Sequence, residues 1–557
     1  MARKVLAAAV GECIHIIGVR NFLEIAQRMG LETVYLGAAV PAEELTRAVA
    51  SQSPEIVGVG YRLSSTSCRA VLDVLREQLD AAGLLAGRIY LFGGTRATGD
   101  VAREAGWFDT VFDGTESRED VFDTLRRLCG EPASGEHNEG TIRAEGLVAR
   151  LRSRGSLPII RHHIGLSTVE ATEAAVRDLA SSGLVDVISI APDQMAQEAF
   201  FRPAERQGVR AGAGGVPLRR REELERLYAA SRCGAQPLCR CYSGTNDVFE
   251  WAEMLLDTIR NAWCAVPLSW YNRMDRRGPR PLATSLVEAQ RLMRWHAERG
   301  VPVEVNEAHQ WSLRRAPDAV AVAAAYLAAY NAKRAGVRHY VSQIMLGTPA
   351  GIAPARDLAK ALAICGFVEE LHDDRFTSFR ELRPGLLSYP AEFEAARGQL
   401  AFSTLCAMHL RPEIFHTVAY TEGVQAAGPE EILGSVRLVR RVMRSVTAGF
   451  PVDAVLQDEM VRAHASWLRS EADAVLDAIR RLGRGVDDPL ADAGTLVRAI
   501  EIGILDAPDL EGAEGGRGIV STAICDGACV AVEPATGRRI SEAERVERLL
   551  EQPWGGV

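Results

Sequence analysis

Short apolar runs alternate with amphipathic stretches through the first 128 residues of the chain. The apolar runs are KVLAAAV, TVYLGA, EIVGVGYRL, RIYLFGG and DTVFDG, and stretches such as RNFLEIAQRMG between them repeat apolar residues at the helical period. This alternation predicts a doubly wound, flavodoxin-like α/β domain over residues 1–130, with a parallel sheet covered by helices on both faces. Ligands of such domains bind at the carboxyl ends of the strands, beside the point where the strand order reverses.

The rest of the chain has the pattern of a second, larger α/β unit. Residues 131–145 are polar and lack apolar periodicity, which predicts a linker. Eight β-rich runs with helical stretches between them then predict a (β/α)8 TIM barrel over residues 146–480. These runs are LPIIRHHIG, LVDVISIAP, PLCRCYSG, CAVPLSWY, VPVEVNEA, HYVSQIML, GLLSYP and IFHTVAYTE. Residues 481–557 contain a glycine-rich run and a final helical pattern, so we expect a C-terminal α+β extension.

Composition narrows the class of partner. The 557 residues are 47% hydrophobic and 25% charged, with a net charge of -9, so a nucleic-acid backbone gains no general electrostatic attraction. No segment approaches the 18 or more uninterrupted apolar residues of a membrane span. The eleven cysteines lack zinc-finger spacing. We therefore expect a cytoplasmic protein with reduced thiols, a small-molecule substrate and a homodimeric assembly, without a nucleic-acid or membrane partner.

The first predicted strand leads into the run CIHIIG (residues 13–18), and the fourth ends in a glycine pair. This ordered set resembles the cobalamin-binding domain of mutases and methionine synthase, whose signature is D-x-H-x-x-G, then S-x-L, then G-G. The resemblance implies that His15 ligates cobalt in place of the cofactor's own base, and that glycines admit the cofactor's nucleotide tail. The implied glycine positions are Gly18, Gly93, Gly94 and, in the closing run FDTVFDG, Gly114.

Two parts of this signature differ in the chain. Cys13 stands where the signature has an aspartate, and Gly60 and Arg62 occupy the S-x-L positions; we expect all three at the cofactor. A carboxylate beside a metal-binding histidine fixes its tautomer and raises its basicity, so Cys13 predicts weaker or altered cobalt ligation. From the residues alone, the alternative is a flavodoxin-like domain in which His15 caps a helix.

Residues from about 155 onward resemble the catalytic barrel subunit of glutamate mutase (methylaspartate mutase), most clearly in VRAGAGGVP, PLCRCYSGTND, LSWYN and VPVEVNEA. The resemblance implies that Arg210 and Tyr271 bind substrate and that Glu422 contacts the adenosine ribose. Four matched positions differ from the family, namely Gln197, Tyr242, Ala265 and Ala419. The first two stand near the places of substrate-binding arginines, the third near that of a carboxylate and the fourth near that of a ribose-binding lysine. A substrate other than glutamate is therefore implied.

Polar residues gather at the ends of the predicted barrel strands. Strand alternation places Arg240 with Tyr242 on one face of the third strand, and Glu304 with Asn306 on one face of the fifth. Because polar groups inside a barrel need partners, we expect a substrate-binding network that consists of Arg161, His163, Arg240, Glu307, Gln310 and Gln343. Structural salt bridges between strands and helices are the alternative.

His309 follows the fifth predicted strand, where barrel enzymes place catalytic loop residues. It is either a proton-transfer group or a helix cap. The two resemblances imply an adenosylcobalamin-dependent mutase or isomerase that acts on a small carboxylic or amino acid. A corrinoid-dependent methyltransferase is the rival enzyme, and a cobalamin sensor without turnover is the rival from another class.

Overall fold

The computed structural model describes residues 3–116, 118–129, 146–155, 157–205 and 214–552. The chain divides into two compact units, Met1–Gly140 and Thr141–Val557. Among the described residues, no helix combines the length and the apolar composition that crossing a membrane needs.

The first unit contains a five-stranded parallel sheet in the order β2-β1-β3-β4-β5. Its strands are β1 (Lys4–Val10), β2 (Glu32–Val40), β3 (Ile56–Tyr61), β4 (Ile89–Gly94) and β5 (Thr110–Phe112). Its helices are α1 (Ile17–Arg28), α2 (Ala42–Gln52), α3 (Ser65–Ala81), α4 (Arg96–Ala105) and α5 (Arg118–Cys129). The strand order reverses between β1 and β3, which confirms the predicted doubly wound fold and defines the edge where a ligand binds.

The second unit contains a closed barrel of eight parallel strands, as the sequence predicted. In chain order the strands are β6 (Ile159–Ile164), β7 (Val187–Ile190), β8 (Leu238–Tyr242), β9 (Cys264–Ala265), β10 (Val303–Val305), β11 (His339–Leu346), β12 (Thr377–Pro384) and β13 (Ile414–His416). Helices surround the barrel because each strand presents its outward side chains to an apolar helix face.

The helices of this unit form the outer layer and the C-terminal segment. They are α6 (Leu147–Ser153), α7 (Val169–Ser181), α8 (Gln194–Ala199), α9 (Arg221–Ala230), α10 (Val248–Ile259), α11 (Leu282–Glu298), α12 (Glu307–Leu313), α13 (Asp318–Arg334), α14 (Pro354–Glu369), α15 (Phe393–His409), α16 (Pro429–Thr447), α17 (Asp453–Leu456), α18 (Glu459–Leu482), α19 (Ala493–Glu501) and α20 (Glu542–Glu551). A two-stranded hairpin, β14 (Thr522–Cys525) and β15 (Ala528–Ala531), lies between α19 and α20.

The position predicted for the seventh barrel strand was wrong. Within the predicted strand GLLSYP, Leu386–Ser388 form a short 3-10 helix, and the seventh strand is the preceding run TSFRELRP of β12. This strand pairs with β11 over its full length, from Thr377 to Pro384. Its inward positions carry Glu381 and Arg383 instead of apolar residues, so an apolar pattern does not reveal it.

The barrel interior changes from apolar to charged along its axis. At the amino-terminal end, Ile159, Val187, Trp263, Val341 and Ile414 form an apolar layer that α6 covers with Leu147. Two residues after Ile159 on β6, and at the matching positions of β8, β10 and β12, the inward side chains are charged; they are Arg161, Arg240, Glu304 and Glu381. The substrate end of a barrel is the carboxyl end of its strands, so the charged layer lies beneath that end.

Candidate functional site

The first unit has a cavity of about 450 Å³ at the carboxyl ends of β1, β3 and β4. The predicted cofactor residues that line it are His15, Gly18, Gly60, Arg62, Gly93, Gly94 and Gly114. Apolar side chains, including Phe22, Leu91 and Phe92, complete much of the wall. The volume lies within the usual range for small-molecule sites, about 300 to 1,000 Å³.

Glycines create this cavity by leaving space that side chains would fill. Gly60 of β3 pairs with Gly93 of β4, so two glycines lie side by side in the sheet. A Cβ atom added to Gly93 would meet no atom within 4 Å, whereas one added to Gly60 would lie 2.4 Å from Val19 Cγ2. Gly93 therefore keeps the cavity open, and Gly60 allows α1 to pack against the sheet.

His15 lies in the exposed loop between β1 and α1. Its Nδ1 is 3.9 Å from Sγ of Cys13, which is fully buried. The same sulfur accepts a hydrogen bond from the backbone N–H of Arg62 at 3.3 Å. Cys13 thus links the loops after β1 and β3 and faces one ring nitrogen of His15, which leaves Nε2 as the nitrogen able to ligate a metal.

The barrel contains a layer of two arginines and two glutamates, all fully buried, on its first, third, fifth and seventh strands. These residues are Arg161, Arg240, Glu304 and Glu381. Glu304 Oε2 accepts hydrogen bonds from Arg161 Nη1 at 3.0 Å and Arg240 Nη2 at 2.6 Å, and Arg161 Nη1 also donates to Glu381. Four alternate strands supply one layer, as the geometry of such barrels requires.

Neighbouring side chains complete this layer. Gln343 Nε2 donates to Glu304 Oε1 at 2.9 Å and to Glu381 Oε1 at 2.7 Å, and Trp263 Nε1 donates to Glu304 Oε2 at 2.6 Å. Burial alone would raise the pKa of Glu304, but the charges of Arg161 and Arg240 outweigh it and lower that pKa. Burial, together with the charge of Glu304, raises the pKa of Glu381. The layer is thus a mutually compensated set of charges.

A second polar layer lies at the barrel mouth, two residues beyond the charged layer on β6, β8 and β12 and directly after the end of β10. It consists of His163, Tyr242, Asn306 and Arg383, each partly buried. His163 Nε2 accepts from Arg161 Nη2 at 2.9 Å, and its ring centroid lies 5.5 Å from that of Tyr242 and 4.4 Å from that of His416. Burial and the charge of Arg161 lower the pKa of His163 well below its usual value, so the ring is neutral at pH 7.

The predicted site residues Arg240, Tyr271, His309 and Glu422 belong to or adjoin these two layers. The Arg277 guanidinium lies 3.9 Å above the Tyr271 ring. Glu422 accepts from the backbone N–H of Ala419 at 2.7 Å, and its Oε1 lies 3.1 Å from His162 Nε2. Burial opposes ionisation of Glu422, but hydrogen bonding and the charge of His162 lower its pKa.

Two other predicted residues have different positions. Glu307 accepts hydrogen bonds from the backbone N–H of Leu268 at 3.1 Å and from the side chains of Ser269 and Trp311, so it supports the loop after β9. Burial raises the pKa of Glu307. Arg210 lies outside the described residues.

Sequence reasoning missed Glu381 and Arg383 and gave no role to Asn306. The first two were missed because the seventh strand was placed too late in the chain. The signal that could have found them is the i, i+2 pairing of polar residues, which occurs as Arg161 with His163, Arg240 with Tyr242, and Glu304 with Asn306. The run TSFRELRP repeats that pairing.

Comparison with known protein families gives a match within the first unit. A family model described as the B12 binding domain matches residues 3–122. The comparison with curated protein sequences gave no match.

Solved structures are similar to parts of the chain. A cobalamin-binding protein from Desulfitobacterium hafniense DCB-2 is 26% identical, with a TM-score of 0.21, over 23% of this chain and 58% of that chain. A rubisco-like protein from Burkholderia fungorum is 15% identical, with a TM-score of 0.34, over 58% of this chain and 70% of that chain. The cobalamin-dependent S-adenosylmethionine radical enzyme OxsB is 10% identical, with a TM-score of 0.19, over 87% of this chain and 69% of that chain.

The first unit is therefore a B12-binding domain, and it precedes a closed eight-stranded parallel barrel. The side chains present fit a cobalamin. His15 offers an exposed imidazole at the edge of the cavity, and the missing side chain at Gly93 leaves the interior open. The predicted relation of the barrel to glutamate mutase stays a prediction.

Proposed function

We propose that this chain is a cobalamin-dependent isomerase that acts on a small carboxylic or amino acid. The observation that carries the proposal is the presence, in one chain, of a B12-binding domain and a barrel with a polar, partly buried mouth. Adenosylcobalamin, when bound, supplies the homolytic chemistry by which a group and a hydrogen exchange places on adjacent carbons. The residues of this chain supply binding, orientation and exclusion of water.

In the first unit, His15 would ligate the cobalt of a bound cobalamin through Nε2. Cys13 Sγ, 3.9 Å from His15 Nδ1, limits the orientation of the ring. Gly93 and Gly94, with Gly60, Arg62 and Gly114, line the cavity that would hold the nucleotide tail.

In the barrel, the charged layer forms the rigid base of the proposed substrate site. Arg161 and Arg240 are fixed by Glu304, so their donors are already oriented and need no rearrangement when a substrate binds. The rings of His163 and His309 are neutral, since burial lowers the pKa of both, to about 3 for His309. Neutral imidazoles can donate or accept hydrogen bonds without adding charge to the site.

Optical and electron paramagnetic resonance spectra of the full chain test the proposal. Adenosyl-, methyl- and hydroxocobalamin are added in the dark to the wild type, to His15→Ala and to His372→Ala, an exposed histidine of the barrel unit that serves as the control. We expect a base-off spectrum with histidine nitrogen hyperfine coupling that only His15→Ala loses, and a paramagnetic signal that appears on addition of a substrate. Failure of every corrinoid to bind the wild type would refute the proposal.

Corrinoid-dependent methyl transfer is the second candidate. Ala419, which stands where the glutamate mutase family has a ribose-binding lysine, is fully buried and can offer no ammonium group to an adenosyl moiety. If methylcobalamin binds, loses its methyl group to an added nucleophile and leaves a persistently reduced cofactor, methyl transfer replaces isomerisation as the function.

A further inference from the structure

The barrel mouth and the layer beneath it contain several buried polar atoms without a hydrogen-bond partner among the described residues. They include Asn306 Oδ1, His309 Nδ1, Gln343 Oε1, Glu381 Oε2 and Arg383 Nε, together with Arg240 Nε and His416 Nδ1. A buried donor or acceptor left unsatisfied costs about 1 to 3 kcal/mol. Native proteins contain few such groups, and each needs an explanation. The concentration of such atoms at one end of one barrel indicates a ligand that supplies missing partners.

Arg383 is a cation available to an anionic group. Within the described ranges, its guanidinium forms no hydrogen bond, whereas Arg161 and Arg240 are engaged with the buried glutamates. Glu422 is the carboxylate with the strongest electrostatic effect on Arg383, but it is hydrogen-bonded to Ala419 and paired with His162. Burial, followed by repulsion from Arg161, lowers the pKa of Arg383, so a bound anion would relieve an unfavourable charge.

Local hydrogen bonds fix the tautomer of His309, which becomes a second donor. Arg314 Nη1 donates to Gln310 Oε1 at 3.1 Å, so the amide nitrogen of Gln310 is the group that faces His309 Nε2, at 3.3 Å. Because His309 Nε2 accepts this bond and the ring is neutral, Nδ1 carries the hydrogen. That N–H has no partner among the described residues. Burial, and then the charge of Arg383, lower the pKa of His309.

The unpartnered atoms of Gln343 and Asn306 are acceptors. Gln343 uses its amide nitrogen for both Glu304 and Glu381, so its Oε1 is left for a donor. Asn306 Oδ1 lies one step closer to the mouth, two residues after Glu304 on the same face. The site thus pairs donors suited to an anion with acceptors suited to an N–H or O–H group.

We propose that the barrel mouth binds a small carboxylate that also carries an amino or hydroxyl group, with Arg383 and His309 on the carboxylate and Asn306 and Gln343 on the second group. The inference takes the reaction of the bound carboxylate from the proposed function. The binding itself does not depend on the proposed function. Arg383, with Glu381 and Glu422 nearby, suits one carboxylate better than a dianionic phosphate, because each further negative charge would meet those carboxylates.

Calorimetric titration of the full chain without corrinoid tests the proposal. The probes are 2-amino- and 2-hydroxycarboxylates with side chains of one to four carbons, each compared with its own carboxamide and with the unsubstituted carboxylate. We expect at least one substituted carboxylate to bind at least tenfold more tightly than either comparison compound. The amino and hydroxy series separate the two sources of the second group.

Variants assign the contacts. Arg383→Gln is expected to abolish the preference for carboxylate over carboxamide, and Arg383→Lys to restore part of it. Asn306→Leu should weaken binding of the substituted carboxylate while leaving the unsubstituted one unchanged. Arg375→Gln is the control, because the side chain of Arg375 is 90% exposed. Circular dichroism confirms that each variant folds.

The proposal is overturned if no probe binds the wild type, if carboxylate and carboxamide bind equally, or if Arg383→Gln keeps the preference. These outcomes are independent of the cofactor. Carboxylate binding without any corrinoid binding would refute the proposed function and leave this inference intact, and the reverse result would refute only this inference.

Discussion

The two units build their sites in opposite ways. The B12-binding domain makes its cavity by omission, since glycines such as Gly93 stand where side chains would fill the space, and one exposed imidazole is added at the edge. The barrel forms its site from charged side chains that would normally face water. These side chains are buried and form ion pairs with one another. The first kind of site needs no paired charges, whereas the second depends on ion pairs such as Arg161 with Glu304, 143 residues apart.

This difference has consequences for stability. Removing one member of a buried ion pair leaves an uncompensated charge and is strongly destabilising. A glycine at the edge of an open cavity can be replaced with much less effect on folding. The comparison therefore predicts that changes in the barrel layer affect stability, while changes in the glycine-lined cavity affect binding.

The largest effect is expected from Glu304→Gln. The substitution leaves Arg161 and Arg240 without their shared carboxylate, so the free energy of unfolding should fall by about 3 to 5 kcal/mol. Denaturant unfolding followed by tryptophan fluorescence measures it. The control is Glu514→Gln, whose side chain is 63% exposed and pairs with Arg273, with an expected loss under about 1 kcal/mol. Equal effects of the two substitutions would contradict the comparison.

Next comes Gly93→Leu, which should fill the cavity of the first unit. Nothing lies within 4 Å of the new Cβ, so folding is retained, while cobalamin binding weakens by more than about 100-fold, or roughly 2.8 kcal/mol. Gly398→Leu is the matched control, because its Cβ also meets nothing but lies on an exposed helix of the barrel unit. Spectroscopic titration with hydroxocobalamin gives the affinities. Retention of affinity in Gly93→Leu would show that the cofactor does not use this cavity.

A smaller effect on the free energy of unfolding is expected when the pH is lowered. Burial, followed by the charge of Arg383, lowers the pKa of His309 to about 3, whereas an unfolded histidine titrates near pH 6.5. Above pH 6.5 the ring is neutral in both states. Between pH 6.5 and 3 only the unfolded chain gains the proton, so stability falls as the pH falls, by about 2 kcal/mol at pH 5 from this residue.

The variant His309→Gln isolates that contribution. Its free energy of unfolding should fall less than that of the wild type between pH 7 and pH 5, by about 2 kcal/mol. His15→Gln, an exposed histidine of the other unit, should leave the acid unfolding of the barrel unchanged. Parallel pH profiles for wild type and His309→Gln would mean that His309 is not the buried neutral ring described here.

The smallest effect is expected from Cys13→Asp. A carboxylate facing His15 Nδ1 should raise the basicity of the ring and tighten base-off cobalamin binding, up to about tenfold. Full burial of position 13 limits the gain, because a charge there loses hydration. Cys13→Ser, which adds no charge, is the comparison. If Cys13→Asp does not raise the affinity for cobalamin, position 13 does not control cobalt ligation by His15.

Much of the fold follows from local patterns. Both the doubly wound sheet and the eight-stranded barrel were predicted correctly, because runs such as KVLAAAV and HYVSQIML are apolar enough to mark buried parallel strands. The seventh barrel strand was misplaced because β12 carries Glu381 and Arg383 inside. A strand whose interior face is charged cannot be distinguished from a surface segment until its partners are known.

The sequence by itself determined the architecture and the cofactor cavity, since strand periodicity and the ordered His15, Gly18 and Gly93-Gly94 are short-range features that need no partner to be recognised. Only the tertiary structure decided which polar residues of the barrel are engaged and which are not. The pairing of Arg161 and Arg240 with Glu304, and the lack of a partner for Arg383 Nε in the described part of the chain, are set by closure of the barrel. Closure brings alternate strands within hydrogen-bond distance across the interior, and no local pattern records those distances.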